Sequence, residues 1–260
     1  MTVIFRVLWR FIRLVLHLAL GALLTLLTAR RDRARGDYRY HPGLVSWWHE
    51  RLLHILGVEI EQTGHLPQAP ALLVSNHVSW LDIPVLGSLT HSNFLAKDEV
   101  RNWPLIGWLS AACGTMFIRR GAGETGSISQ QIAAHLSSDG LLTLFPEGTT
   151  TDGSEVRPFF PRLFSAAIET GAPVVPVALR YHVSGRLDTL APYVGEQSLL
   201  ENLWGIIRRP RTQVLVSYMP ALALAGLERK VAAEKARSQI VLALAGHAHH
   251  DNAAAARQAG

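Results

Sequence analysis

Cysteine is almost absent from this chain of 260 residues, which contains Cys113 alone. A single cysteine excludes a disulfide framework and a multi-cysteine metal site within one chain. Charged residues are also scarce: they make up 17% of the sequence, against 48% for hydrophobic residues. This balance favours contact with a membrane over free solution. The length fits one large domain, or one domain with an appendage.

Lysine is rare as well, since only Lys97, Lys230 and Lys235 accompany the arginines of a chain whose net charge is +5. A basic, apolar protein suits an anionic membrane surface or anionic substrates. The sequence shows no helix-turn-helix, no zinc-ligand spacing and no aromatic-rich RNA signature, so no nucleic-acid partner is expected.

The N-terminus lacks an uncharged apolar run of full spanning length. Residues 2–28 are mostly apolar, but the uncharged stretch is limited to residues 14–28, and a spanning helix needs about 20 residues. Arg6, Arg10 and Arg13 precede it on one helical face. Three interpretations stay open: a spanning anchor, an interfacial amphipathic helix, or an uncleaved signal-like segment. We favour a membrane-attached helix.

The following segment extends this region. Residues 30–43 are polar and predict a linker. A helix is predicted over residues 44–56, where the neighbouring Trp47 and Trp48 fit a membrane interface. An ordinary core-facing helix explains the same periodicity. We assign residues 1–57 to membrane attachment, as membrane-associated helices and a linker.

From Val58 onward, short apolar runs alternate with helical ones. Strands that alternate with helices predict a single α/β domain at residues 58–245, with a mixed, mostly parallel sheet flanked by helices. The tail at 246–260 is rich in alanine and histidine and is expected to be flexible and solvated, not a metal site. The predicted strands are 58–62, 71–74, 93–96, 115–119, 141–145, 174–181 and 213–218. The predicted helices are 81–89, 104–113, 127–136, 160–170, 198–207 and 228–244.

The first motif covers residues 76–82, which read N-H-V-S-W-L-D. His77 stands where a buried strand ends, the usual place for chemistry in an α/β fold. A turn could bring the Asp82 carboxylate onto the imidazole, and a neutral histidine held by a buried aspartate is a general base that can deprotonate a hydroxyl. A structural explanation competes, with Ser79 as the N-cap of a helix and Asp82 in its first turn.

The second motif covers residues 145–153, which read F-P-E-G-T-T-T-D-G and follow another predicted strand. Glycine and hydroxyl residues at such a place can present backbone N–H groups to an anion. Glu147 could accept hydrogen bonds from a polyol or hold a neighbouring arginine. A plain turn explains the same composition.

Together the two motifs, of the forms N-H-x-S-x-x-D and F-P-E-G-T, resemble those of the glycerolipid and lysophospholipid acyltransferases, the family of bacterial 1-acylglycerol-3-phosphate acyltransferase. The blocks at 114–120 and 174–178 resemble two further blocks of that family, and the resemblance covers roughly residues 58–220. It departs at Arg119, where the family often has an acidic residue, and near Arg162, where the family often has a lysine-glycine pair. The form E-G-T-T-x-D-G looks closer to the branch that acylates lyso-ornithine lipid.

The resemblance implies an O-acyltransferase. His77 would take the proton of an acceptor hydroxyl, Asp82 would hold the imidazole, and the oxygen would attack an acyl thioester of coenzyme A or of acyl-carrier protein. Positive side chains would meet an anionic head group, and the second motif would position the polar acceptor. No metal or other cofactor is expected, because the thioester is already activated. The residues implied to bind substrate are Lys97, Arg120, Glu147, Gly148, Thr149 and Arg162.

The implied acceptor is a lysolipid, with lysophosphatidate first on family frequency and lyso-ornithine lipid second. Membrane lipids are the other expected partners, and the implied location is a bacterial-type inner membrane with the active site facing the cytoplasm. Two other functions compete. A serine hydrolase using Ser75 or Ser79 would lack the usual G-x-S-x-G elbow. A membrane-anchored lipid-binding protein without turnover would have no use for the His77 and Asp82 pair.

Overall fold

The computed structural model describes residues 2–28, 30–31, 38–39, 41–118 and 125–258. Strands and helices alternate from residue 58 as the sequence predicts. The strands are β1 (Arg30–Arg31), β2 (Tyr38–Arg39), β3 (Val58–Thr63), β4 (Ala71–Ser75), β5 (Asn93–Lys97), β6 (Met116–Ile118), β7 (Leu141–Leu144), β8 (Val174–Val183), β9 (Arg186–Leu187) and β10 (Thr212–Tyr218). The helices are α1 (Val3–Thr28), α2 (Pro42–Leu56), α3 (Asp82–Leu89), α4 (Asp98–Arg101), α5 (Ile106–Ala112), α6 (Thr125–Ser137), α7 (Ser165–Thr170), α8 (Leu199–Arg208) and α9 (Arg229–Gln258), with a 3-10 turn at Pro161–Phe164.

An eight-stranded sheet in the order β3-β10-β8-β4-β7-β5-β6, with β9 beside β8, forms the middle of the molecule. Strands β8, β4, β7, β5 and β6 are parallel, whereas β10 runs antiparallel to β8 and parallel to β3. The predicted mixed, mostly parallel sheet is therefore confirmed. Every residue of β4 and β7 is buried, because helices cover both faces of the sheet and such strands read as continuous apolar runs.

Two helix layers enclose the sheet. On one face α2, α3 and α8 contribute Leu56, Val85 and Ile206 to a core that Leu14 of α1 also joins. On the other face α6, α7 and α9 supply residues such as Ile132 to a second core. Helix α2 is therefore a core-facing helix, which is one of the two interpretations of residues 44–56. The assignment of residues 1–57 to membrane attachment stays a prediction.

Helix α1 lies against the first layer through its polar face. Arg6 donates a hydrogen bond to the Arg208 carbonyl (3.0 Å), and Arg10 donates to the carbonyls of Ile207, Arg209 and Pro210 (3.3, 2.6 and 2.8 Å). These carbonyls end α8, where the last turn of a helix leaves acceptors unpaired and favours cations. The arginines at one-turn spacing thus dock α1 onto the domain, and the opposite, apolar face of α1 is left exposed.

Besides the short strands β1, β2 and β9, three details differ from the sequence prediction. A short helix, α4, separates β5 from α5, and four residues are too few to produce a periodic signal. The helix predicted over 160–170 begins as a 3-10 turn. The last helix continues through the predicted tail to Gln258, so that segment has a helical backbone, while its flexibility stays a prediction.

Candidate active site

The two motifs meet at one edge of the sheet. His77 follows β4, Glu147 follows β7, and Lys97 ends β5, and these three neighbouring strands are parallel. Their carboxyl ends therefore lie on the same edge, the place where open α/β sheets bind ligands.

His77 and Asp82 form a direct hydrogen bond. The distance from His77 Nδ1 to Asp82 Oδ2 is 2.7 Å, and the Asp82 side chain is fully buried. Asp82 is the first residue of α3, and its Oδ2 also accepts the backbone N–H groups of Val78 (2.8 Å) and Ser79 (3.0 Å). The carboxylate thus folds back over the preceding turn, which it holds together while it also holds the imidazole.

The capping interpretation of Ser79 is not what the structure shows. Its hydroxyl is buried and has no hydrogen-bond partner among the described residues, and the residue at the N-cap of α3 is Leu81. Asp82 stands in the first turn of α3, and its carboxylate binds N–H groups of the preceding turn instead of capping the helix.

The pairing fixes the proton on the imidazole. An ionised Asp82 only accepts, so Nδ1 of His77 carries its hydrogen and Nε2 keeps a free lone pair. The Phe145 ring stacks on the imidazole, with ring centroids 4.0 Å apart, and the His77 side chain is 19% exposed. The imidazole is therefore partly open to a substrate hydroxyl, as a general base requires.

Tyr181 is a third member of this network that sequence reasoning missed. Its hydroxyl donates to Asp82 Oδ1 at 2.7 Å from a fully buried position on β8. Burial, and then the charge of Asp82, raise the pKa of Tyr181, so the hydroxyl stays protonated and keeps donating. No local pattern marks this residue, because it lies 99 positions beyond its partner.

Glu147 holds the backbone on both sides of the site. One oxygen accepts the His77 N–H and the other accepts the Arg157 N–H, both at 2.8 Å. Burial raises the pKa of Glu147, and the two backbone donors act in the opposite direction. Both oxygens are thus engaged by the protein, and binding of the acceptor by this side chain stays a prediction.

Other backbone contacts complete the frame. The Thr151 N–H donates to the His77 carbonyl at 2.8 Å. The buried side chain of Asn76 accepts from the Leu179 N–H (2.8 Å) and donates to the Leu179 carbonyl (2.9 Å). The Asn76 amide thus makes the two hydrogen bonds with the Leu179 backbone that the backbone of a strand residue would make. The end of β4 is therefore fixed beside β8, and His77 follows it directly.

The remaining predicted binding residues surround this centre. Gly148 adopts a positive φ of 66° and, with Thr149, is half-buried in the loop after β7. Lys97 is exposed two strands from β4, roughly 10 Å away at the usual strand spacing. Arg162 is exposed in the 3-10 turn, which the Phe160 N–H ties to the Pro146 carbonyl at 2.9 Å. Arg120, the last predicted binding residue, lies outside the described residues, as does its neighbour Arg119.

Comparison with known proteins agrees with these motifs. Residues 57–180 match the Acyltransferase family. The chain is 41% identical over 245 residues to a lyso-ornithine lipid O-acyltransferase of Pseudomonas aeruginosa, a match that covers 94% of this chain and 95% of that one.

The chain belongs to the acyltransferase family.

Further relatives of this acyltransferase are named for acylglycerol phosphates. It is 32% identical over 171 residues to a 1-acyl-sn-glycerol-3-phosphate acyltransferase of Neisseria meningitidis, across 65% of this chain and 67% of that one. The crystal structure of the 1-acyl-sn-glycerophosphate acyltransferase of Thermotoga maritima superposes with a TM-score of 0.63 at 20% identity, covering 93% of this chain and 95% of that one. The first two relatives confirm the predicted O-acyltransferase, and the third confirms the fold.

The geometry disfavours the serine hydrolase that the sequence left open. The hydroxyls of Ser75 and Ser79 are buried and have no hydrogen-bond partner among the described residues. A serine nucleophile needs the histidine within hydrogen-bond reach, whereas His77 Nδ1 is engaged by Asp82.

Proposed function

We propose that this acyltransferase moves a fatty acyl group from an acyl thioester to the hydroxyl of lyso-ornithine lipid. The His77–Asp82 hydrogen bond, on an imidazole that is partly exposed, supports the acyl transfer. The full-length similarity to the Pseudomonas aeruginosa enzyme supports the acceptor. This reverses the order of the two acceptors that family frequency suggests.

The reaction follows from the site. The acceptor hydroxyl donates to Nε2 of His77, which takes its proton as the oxygen attacks the thioester carbonyl. Asp82 stabilises the imidazolium that forms, and Tyr181 holds the second carboxylate oxygen. When the carbon–sulfur bond breaks, the departing thiolate receives that proton, so the products are an ester and a free thiol. Because the thioester is already activated, we propose that no metal or other cofactor takes part, and that the donor is acyl-coenzyme A or acyl-carrier protein.

The charges around the site suit a head group of mixed sign. Lys97 and Arg162 are exposed cations on this side of the sheet, while Asp152 is an exposed anion in the second motif. The ornithine head group carries one carboxylate and one ammonium, so both signs find a partner. A phosphomonoester carries up to two negative charges and gains from cations alone.

Lysophosphatidate is the second candidate acceptor. The Neisseria meningitidis relative is named for 1-acyl-sn-glycerol-3-phosphate, and its identity of 32% extends over two thirds of its length. The general-base chemistry at His77 is the same for both acceptors, so the head group alone decides between them.

A competition assay tests the proposal. The purified full-length enzyme receives labelled acyl-coenzyme A or acyl-carrier protein with lyso-ornithine lipid and lysophosphatidate in one mixture. We expect the label mainly in ornithine lipid, and none with His77→Ala. Label mainly in phosphatidate would assign the second acceptor, and release of free fatty acid without transfer would contradict both.

We further propose that the enzyme works at the cytoplasmic face of a bacterial-type inner membrane. Within the described residues, Val3–Leu27 is the stretch that is long and apolar enough to cross a membrane, and acyl thioesters are cytoplasmic metabolites. Sedimentation with membranes, and cleavage of the catalytic domain by protease only in inside-out vesicles, are the expected results. A cytosolic enzyme would contradict this location.

A further inference from the structure

Helix α8 carries an exposed stripe at one-turn intervals. Leu200 is 75% exposed, Trp204 is 51% exposed, and Arg208 follows with its guanidinium 5.9 Å from the centroid of the Trp204 ring. The opposite face of α8 is buried in the first core, where Ile206 and Ile207 lie. A large apolar stripe that ends in a tryptophan and an arginine is typical of a helix at a membrane interface.

The helix is held rigidly, so the exposed stripe is a fixed part of the surface. Ser198 and Glu201 form a reciprocal capping box at its N-terminus, with Ser198 accepting from the Glu201 N–H at 3.2 Å. At its other end the carbonyls are bound by Arg6 and Arg10 of α1. A helix with both ends capped presents Leu200 and Trp204 without needing a partner to order it.

The stripe adjoins the exposed face of α1. Arg6 binds the carbonyl of Arg208, so the two helices touch within one turn of Trp204. Helix α1 repeats the same pattern there: Trp9 is exposed, and the Arg13 guanidinium lies 5.8 Å from its ring centroid. Each of these two adjacent helices thus carries a tryptophan paired with the arginine four residues later. Such pairs on neighbouring helices suit contact with the interface of one membrane.

The exposed apolar side chains are unevenly divided between the two helix layers. Among the described residues, the layer of α6, α7 and α9 exposes large hydrophobic side chains at Val231, Val241 and Leu242. On α1 alone such side chains recur along nearly the whole helix, from Val3 to Leu27. The apolar surface therefore lies mainly on the layer that contains α1 and α8.

Helix α8 is also joined to the active site. The indole N–H of Trp80, within the first motif, donates to the Asn202 side chain at 2.8 Å. Asn202 lies on the buried side of α8, so the stripe is about one helix diameter from the turn that carries His77. A membrane on this stripe would bring the lipid acceptor close to the catalytic base.

We propose that α8 is a second membrane contact of this enzyme: Leu200 and Trp204 enter the bilayer interface and Arg208 meets lipid phosphates. This rests on the membrane attachment proposed above and adds a surface that the N-terminal helix does not provide. Its role is to seat the mouth of the active site on the bilayer, so that the lysolipid reaches His77 without leaving the membrane.

Site-directed spin labels test the contact, because the chain has a single native cysteine to remove. In a Cys113→Ala background, labels are placed by Leu200→Cys and Trp204→Cys. Leu16→Cys on α1 is the positive control, and Leu242→Cys, 71% exposed on α9, is the matched negative control. Collision with dissolved oxygen and with a water-soluble nickel chelate is measured with vesicles of phosphatidylcholine, with and without phosphatidylglycerol.

We expect the labels at 200, 204 and 16 to become shielded from nickel on vesicle binding, and the label at 242 to stay accessible. Nickel access at 200 and 204 equal to that at 242, with 16 shielded, would overturn the proposal. Spin–spin broadening at 200 in the absence of vesicles would show that a second copy of the chain covers α8, which also overturns it.

A kinetic measurement separates this contact from the chemistry. Leu200→Ser combined with Trp204→Ser should raise KM for a vesicle-presented lysolipid roughly 10-fold, given the apolar area removed, and leave KM for the thioester unchanged. Leu242→Ser should change neither. If no lysolipid is acylated by the unmodified enzyme, the proposed function fails while the label experiment still decides the role of α8.

Discussion

The hydroxyl of Tyr181 donates a 2.7 Å hydrogen bond to Asp82 Oδ1, the oxygen that His77 does not use. The Asp82 carboxylate is thus held from both sides, by a fully buried tyrosine and by the imidazole. Because a carboxylate can rotate about its terminal bond, the tyrosine fixes the plane in which Oδ2 meets Nδ1. We therefore expect Tyr181 to be a positioning residue for the proposed general base, His77.

Replacing Tyr181 with phenylalanine should lower kcat roughly 10-fold and leave KM unchanged, since hydrogen bonds to charged groups are worth about 1.5–3 kcal/mol. The effect should fall on kcat because the tyrosine hydroxyl contacts Asp82 and is fully buried. Tyr218→Phe is the matched control, because that buried hydroxyl has no partner among the described residues. A folded Tyr181→Phe enzyme with an unchanged kcat would limit the tyrosine to a packing role.

Substitution of His77 and of Asp82 should separate the role of the general base from that of the residue that orients it. His77→Ala should lower kcat by roughly 10²- to 10⁴-fold, the usual contribution of a general base. Asp82→Asn removes the charge that stabilises the imidazolium and should also lower kcat strongly. Single-turnover rates with both proteins, alongside circular dichroism to verify folding, check this. A well-folded His77→Ala enzyme with near-normal turnover would contradict the mechanism.

Glu147→Gln should destabilise the fold and reduce activity together. The carboxylate accepts two backbone N–H groups, but an amide offers one acceptor oxygen and turns an N–H₂ toward the other donor. Leaving one buried donor unpaired costs roughly 1–3 kcal/mol, which thermal unfolding would detect as a lower Tm. Glu155→Gln, an exposed position in the same loop, should leave Tm and kcat unchanged. If Glu147→Gln keeps its Tm but loses affinity for the acceptor, direct substrate binding by Glu147 is supported instead.

Stability should fall in mild acid because of a buried histidine on α2. Burial lowers the pKa of His49 from 6.5 to about 4. Between these two pH values His49 binds a proton in the unfolded chain but stays neutral in the folded protein. The stability that the neutral His49 contributes is therefore complete above pH 6.5 and is lost as the pH falls toward 4. The loss in the free energy of unfolding is roughly 3 kcal/mol.

Urea unfolding in detergent at pH 7 and pH 4.5 measures this loss. His49→Leu should reduce the difference in unfolding free energy between the two conditions. His54→Leu, at an exposed position on the same helix, should keep the full difference. Equal pH dependence in all three proteins would mean that other groups cause the acid sensitivity.

Local pattern was enough to predict most of the secondary structure and the two motifs. Apolar runs such as residues 71–75 and 141–144 are strands because the sheet is covered on both faces, and that burial is written directly into the sequence. The pairing of His77 with Asp82 could also be predicted from the sequence, because the two residues are five positions apart and the turn between them is a local structure. The alternation of strands and helices also predicted a mostly parallel sheet, whereas the antiparallel pairing of β10 with β8 across α8 came only from the structure.

Only the tertiary structure decided what holds that pair in place. Tyr181 meets Asp82 across 99 residues, Glu147 meets the His77 N–H across 70, and Arg10 reaches the end of α8 across 199. Such contacts arise when neighbouring strands and helices are brought side by side, and no periodicity of the chain encodes them. The sequence by itself determined which residues can do the chemistry, and the packing of distant elements determined which proton donors and carbonyls they meet.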